Sequence, residues 1–261
     1  LSLRRQRQMC IRDRFNIDTG KEIGTFCYRG SGPGEVAALG PIFHFFKEKG
    51  DLKTLLFAPN EEKLFIWNIT QSIKRDTTVM DKQISYPWRE ENGGAPYYLM
   101  FLKDENTLIT ELQSFPLNDK EATLPVYQKR TLDTNKLLKS FSSYKKSIRN
   151  DEASILPESF FYSNDAIKPD GTKVVQAMVH LAQLNILDLE TGHVSGYRLE
   201  GEPDFSVFKS DEKIKSYFTR VQADDNYIYA VYWGKERWER FETPHMNIIH
   251  VYDLSLIHIS E

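Results

Sequence analysis

Apolar and polar residues alternate along most of this chain with a period near two, in short runs broken by turn residues. TLITEL (107–112), TKVVQAMV (172–179) and NYIYAVYW (226–233) are of this kind, and such runs read as β-strands packed on a core. No convincing amphipathic helix of 10–15 residues separates them. DEKIKSYF (211–218) predicts a single helical turn at most.

The turns recur with the strands. An apolar strand ends in Asp or Asn, a turn follows, and a second strand begins, as in FNIDTGKEIGTF, FIWNITQSIKR, KRTLDTNKLLKSF, NILDLETGHVSGYRL and HVYDLS. The anchors are Asp18, Asn68, Asp133, Asp188 and Asp253, at intervals of 50, 65, 55 and 65 residues. Asp and Asn suit such positions because their side chains can accept the turn's own backbone N–H groups. A second turn lies upstream of each complete copy, in KEKGD, KDENT, KPDGT and ADDNY, marked by Gly50, Asn106, Gly171 and Asn226. Gly and Asn tolerate the positive φ of a tight hairpin.

Each unit therefore reads strand, hairpin, strand, loop, strand, hairpin, strand. Four-stranded antiparallel units repeating at about 59 residues predict an all-β chain, a β-propeller. A β-sandwich would not explain a repeat of this length, and an α/β fold would need helices between the strands. Whole blades are expected at about 42–79, 97–142 and 160–199, with a last blade beginning near 217 and stopping after its third strand at Asp253. About four blades are expected here, and six in the intact protein.

Composition narrows the class without naming a substrate. The 261 residues are 40% hydrophobic, 27% charged and 13% aromatic, with a formal charge of −3. No stretch approaches the 18 apolar residues of a membrane span, and the near-neutral charge argues against a broad nucleic-acid-binding face. The ends read unlike the middle. Residues 1–14 (LSLRRQRQMCIRDR) and 254–261 resemble translated sequencing-adapter read-through and are expected to be a non-native arm and tail. Residues 15–253 are then the partial propeller domain, with a charge of about −6 and one cysteine. That residue, Cys27, is expected to be a small buried apolar group between Phe26 and Tyr28.

Chemistry is sought on the variable loops at the channel mouth rather than on the recurrent turns. Between the two turn markers the blades carry 18, 27, 17 and 27 residues, so two of them hold insertions, SFPLNDKEATLP (114–125) and WGKERWERFETPHM (233–246). In the second, Trp233, Arg237 and Trp238 could form a stacking and cation–π platform, and they are the candidate ligand- or partner-binding residues; alternatively both Trp rings cover the top of the core while the charges stay in water. No GxSxG elbow, HExxH pair or P-loop occurs. No catalytic, cofactor-binding or metal-binding residue is selected, and no cofactor is expected. A calcium-dependent, lactonase-like site would need Glu, Asn and Asp side chains converging at the mouth. Glu111, Asn164 and Asp165 are on offer, but their spacing does not single them out.

The glycine-rich link YRGSGPGEVAALG (28–40) is expected to steer the chain from one blade to the next. With the preceding IDTGKEIGTF, its GSGPGEV motif resembles the TolB-like six-bladed propeller proteins of Gram-negative bacteria, across nearly all of residues 15–253. Val36 stands where that motif more often has Phe. The resemblance implies a lipoprotein of the cell envelope, in the periplasm or anchored to the outer membrane, without established enzymatic activity. The expected function is non-enzymatic binding or scaffolding, with an unknown protein or carbohydrate partner at the channel mouth and no nucleic acid. Membrane contact is expected only through a lipid anchor that this chain does not carry. The alternative is a metal-dependent sugar or lactone hydrolase or lyase, which would gather at least three oxygen or imidazole ligands near the axis.

Overall fold

A computed structural model describes residues 12–16, 18–30, 32, 35–40, 44–88, 95–113, 126–143, 161–199, 214–236, 239, 248–254 and 258–260. The short runs form strands, and the strands form four antiparallel four-stranded blades, as the repeat predicts. Blade 1 is β3 (Phe45–Glu48), β4 (Asp51–Ala58), β5 (Lys63–Asn68) and β6 (Met80–Ser85). Blade 2 is β7 (Ala95–Leu102), β8 (Thr107–Gln113), β9 (Val126–Thr131) and β10 (Leu137–Ser142). Blade 3 is β11 (Ser163–Ile167), β12 (Lys173–Met178), β13 (Gln183–Asp188) and β14 (Val194–Arg198). Blade 4 is β15 (Lys215–Ala223), β16 (Tyr227–Glu236), β17 (Ile248–Asp253) and β18 (His258–Ser260). Ahead of them, β1 (Arg12–Phe15) pairs with β2 (Glu22–Phe26) as a separate hairpin.

The order within each blade is sequential, and the first strands β3, β7, β11 and β15 line a shared cavity. Middle strands of blades 1–3 are buried on both faces, which is why β4 and β5 read as near-continuous apolar runs, LLFA and LFIW, rather than as strict alternation. The fourth strands β10 and β14 are mostly exposed. Apolar side chains fill the space between neighbouring blades. Leu55, Phe57 and Leu64 of blade 1 pack on Met100, Leu102 and Leu108 of blade 2. Phe101, Ile109 and Phe141 of blade 2 pack on Val174 and Leu187 of blade 3. Val175, Ala177, Leu184 and Ile186 of blade 3 pack on Phe218, Val221, Ile228 and Ala230 of blade 4. Each Val, Leu, Ile, Phe or Met side chain among them, fully buried, contributes about 1.5–3 kcal/mol.

Turn chemistry follows the expectation in part. Asp188 Oδ1 accepts the backbone N–H groups of Glu190 and Thr191 at 2.9 and 2.7 Å. In the first hairpin the cap is Asn16, not Asp18: its Oδ1 accepts from the N–H groups of Asp18 and Thr19. Gly50 and Gly171 have φ of +85° and +67°, the left-handed conformation expected of them. Asn106 serves differently, since its Oδ1 accepts the N–H groups of Leu132 and Asp133 from the neighbouring turn. In three blades the first hairpin is closed instead by an Asp that accepts the amide two residues on, Asp104 for Asn106, Asp170 for Thr172 and Asp224 for Asn226.

Three boundaries differ from those expected. Blade 1 runs on to Ser85, because β5 and β6 are joined by helix α1 (Ile69–Arg75) rather than by a tight turn. Asn68 caps that helix, accepting from Gln71 N–H at 2.9 Å, and Trp67 Nε1 donates to the buried Ser72 Oγ at 2.8 Å to dock it. The predicted helical turn at 211–218 gives way to strand from Lys215 onward, where Phe218 is drawn into the core between blades 3 and 4. At the far end His258–Ser260 pairs with β17 as a short fourth strand, an apolar–polar alternation meeting an open sheet edge. Cys27 is buried, as expected.

Candidate functional site

The four first strands enclose a cavity of about 550 Å³, lined by His44, Phe46, Phe101, Lys103, Asp165 and Gln222 among others. That volume lies in the range of small-molecule sites. The His44 ring sits 4.1 Å from Phe101 and 5.7 Å from Phe46, centroid to centroid. Burial lowers its pKa to about 4, so the imidazole is neutral at physiological pH.

Strand register builds a polar cluster behind one wall of this cavity. On blade 2, Glu111 of β8 lies directly opposite Tyr127 of β9. On blade 3, Asp165 of β11 lies opposite Gln176 of β12, and Gln176 opposite Asn185 of β13. The two rows meet between the blades, next to the apolar contact of Ile109 with Val174 and Leu187. Tyr127 Oη donates to Asp165 Oδ2 at 2.5 Å and Ser163 Oγ donates to Asp165 Oδ1 at 2.7 Å. Gln176 Nε2 donates to Tyr127 Oη at 2.6 Å.

The Glu111 and Asp165 carboxyls are within hydrogen-bonding reach of each other. Burial, reinforced by the charge of Asp165, raises the Glu111 carboxyl well above its ordinary value. Burial also raises Asp165, to about 6, against the hydrogen bonds from Tyr127, Ser163 and Glu111 that favour its ionised form. Burial thus biases both carboxyls towards the protonated form, Glu111 the more strongly, with Glu111 as the donor to Asp165.

Of the three side chains offered for a calcium site, the structure brings together Glu111 and Asp165. Asn164 has the opposite parity on β11 and donates to Phe218 O at 3.2 Å, towards blade 4. Among the described residues no three His, Cys, Asp or Glu side chains form a metal-binding group. Sequence reasoning did not single out Tyr127, Ser163 or Gln176. The one available signal was Gln176, a polar residue at the centre of the buried run VVQAM.

Trp233 lies near the end of β16 and is 7% exposed, and its indole Nε1–H has no acceptor. Gly234 follows with φ +70°, and a Cβ there would stand 2.4 Å from Tyr232 Oη, so this kink requires glycine. Arg237, Trp238 and the insertion at 114–125 lie outside the described residues. In the glycine-rich link, Arg29 and Val36 form a parallel bridge and Glu35 Oε2 accepts Gly32 N–H at 2.9 Å. The link folds around its own carboxylate, next to the core formed by Phe26, Cys27 and Val36.

Four sequential blades around a shared cavity define a β-propeller. No family model and no curated protein matches the chain. Among solved structures it is similar to Hsv2 of Kluyveromyces lactis, at 9% identity and a TM-score of 0.44, over 94% of this chain and 68% of that one. It is also similar to a candidate exported protein of Bacteroides fragilis NCTC 9343, at 14% identity and a TM-score of 0.45, over 94% and 63%. A third is the Dos1 propeller, at 11% identity and a TM-score of 0.43, over 96% and 64%. The chain thus spans between 63% and 68% of the length of these three structures. The propeller assignment rests on the sheet order and the common cavity. Among the described residues no helix is long and apolar enough to cross a membrane.

Proposed function

We propose that this chain is a non-enzymatic binding propeller of the bacterial cell envelope, part of a six-bladed, TolB-like protein, with its ligand surface at Trp233, Arg237 and Trp238. The observation that supports the reading is the orphaned donor of Trp233: a buried indole N–H with no acceptor, at the entry to the longest aromatic and basic insertion. A buried donor left unpaired costs about 1–3 kcal/mol, which an acceptor brought to the indole by a bound ligand would offset. Stacking on Trp238 and pairing with Arg237 suit a carbohydrate or an exposed peptide segment equally.

The test is a titration of the chain with envelope glycans and with peptides, followed by tryptophan fluorescence. Trp233→Phe keeps the ring and removes the donor, and Trp238→Ala removes the platform. Binding weakened by about tenfold in each is expected, the loss of one good hydrogen bond or stacking contact. Unchanged affinity in both would place the ligand elsewhere. Recovery of the native gene product from the cytosolic fraction would remove the envelope assignment.

A further inference from the structure

The cluster between blades 2 and 3 is short of a positive partner. Every hydrogen bond that reaches Asp165 comes from an uncharged hydroxyl or from the Glu111 carboxyl. Glu111 Oε2 and Gln176 Oε1 are both buried and accept no hydrogen bond. Gln176 is wholly buried, and its amide is fixed in the cluster because Nε2 is committed to Tyr127. The nearby lysines are engaged elsewhere: Lys103 and Lys129 both bind Glu190 Oε1, each at 2.8 Å. Two carboxyls facing each other, an unsatisfied amide oxygen and a serine hydroxyl leave an all-oxygen set with negative charge and no cation.

We propose that this cluster is a cation site, in which a hard divalent ion of the Ca²⁺ class bridges blade 2 to blade 3 through Glu111, Asp165 and Gln176 Oε1. Oxygen donors without nitrogen or sulfur select hard cations. Ca²⁺ accepts carboxylate, amide carbonyl and hydroxyl oxygens in flexible arrangements, whereas Mg²⁺ demands near-ideal octahedral geometry and holds its waters. Asp165 borders the central cavity, which gives an ion and its remaining waters a route in. Tyr127 acts by holding Asp165 in place. The site is independent of the ligand surface proposed at Trp233.

The experiment uses the full chain, stripped of metal with a chelator and titrated calorimetrically with Ca²⁺, with Mg²⁺ in parallel. Tb³⁺ luminescence sensitised by neighbouring tyrosine provides the second readout. Saturable Ca²⁺ binding is expected, tighter than Mg²⁺, with Ca²⁺ displacing Tb³⁺. Glu111→Gln preserves shape and can still donate to Asp165, so it should fold, and it should weaken Ca²⁺ at least tenfold. Gln176→Leu removes the amide oxygen at similar bulk and should weaken it too. Circular dichroism confirms the fold of each variant. No saturable uptake by the parent chain, or equal affinity in folded Glu111→Gln and Gln176→Leu, would overturn the site and leave the pair to protons alone.

Discussion

Blade 3 presents two faces that solve the same packing problem differently. Towards blade 4 it offers Ala166, Val175, Ala177, Leu184 and Ile186, an apolar surface closed by Phe218 and Tyr252. Towards blade 2 it offers Ile167, Val174 and Leu187, and two residues along the same strands, on the same face, the polar row Asp165, Gln176 and Asn185. Alternation along each strand makes this possible, since a shift of one residue changes the face. Apolar contacts dominate the first interface, with Asn164 donating to Phe218 O and Tyr217 N–H to Val179 O across it. The second is held partly by hydrogen bonds that permit one register and leave two acceptors open. A blade interface with unfilled valence is a place to bind something, and one without it is a place to be stable.

The largest effect that would sharpen this contrast is expected at Phe218, fully buried and edge-on to Tyr232 at 5.7 Å. Phe218→Ala should cost about 3–5 kcal/mol in equilibrium urea unfolding. A loss below about 1 kcal/mol would show that the apolar interface does not depend on this ring. Tyr127→Phe is the matching change on the other face. It removes the donor to Asp165 and the acceptor for Gln176, and should cost about 1.5–3 kcal/mol, the range for a hydrogen bond to a charged group. If Tyr127→Phe proved neutral, the polar row would be no more than tolerated there.

The two faces should also differ in their response to pH. In metal-free protein the raised Glu111 and Asp165 values mean that the folded chain keeps protons which the unfolded chain releases from about pH 4 upward. Stability contributed by the pair therefore falls as pH rises through about 6 and beyond. His44, lowered to about 4, works in the opposite sense, since its contribution is lost as pH falls from its ordinary value towards 4. The comparison that isolates the pair is parent against Glu111→Gln. The variant should gain on the parent steadily as pH rises, in thermal unfolding with chelator present. A constant difference across the range would mean that Glu111 is not protonated in the fold.

Much of the fold was legible because blades are made from local signals: a period near two, and turn residues at set distances from strand ends. What escaped had chemistry readable in two ways. An Asn at a strand end caps a hairpin or a helix with the same side-chain oxygen, and at Asn68 it caps α1. In KDENT the obvious turn residue was Asn106, but Asp104 closes that turn and Asn106 reaches the next one. The cluster was beyond spacing altogether. Tyr127 stands 38 residues from Asp165 and 49 from Gln176, and only the register within two sheets, together with the stacking of those sheets, makes them neighbours. Glu111 and Asp165 could be offered from sequence as carboxylates on inner strands. Their raised proton affinity could not, since it arises from burial between blades.

The smallest effect is expected at the rim of the same polar interface. Glu190 on the last turn of blade 3 binds Lys103 and Lys129 of blade 2, and those contacts lower its carboxyl to about 2. It looks like the stronger electrostatic tie, with two cations on one carboxylate. Yet its side chain is 56% exposed, so water and salt screen what the buried pair feels undiminished. Glu190→Gln should therefore cost less than about 1 kcal/mol, and the cost should shrink further as ionic strength rises. The share it contributes is present above about pH 4.5 and lost as pH falls towards 2, the reverse of the buried pair. Were Glu190→Gln to destabilise the chain more than Tyr127→Phe does, the interface would be held from its rim, and the buried row would owe its place to binding alone.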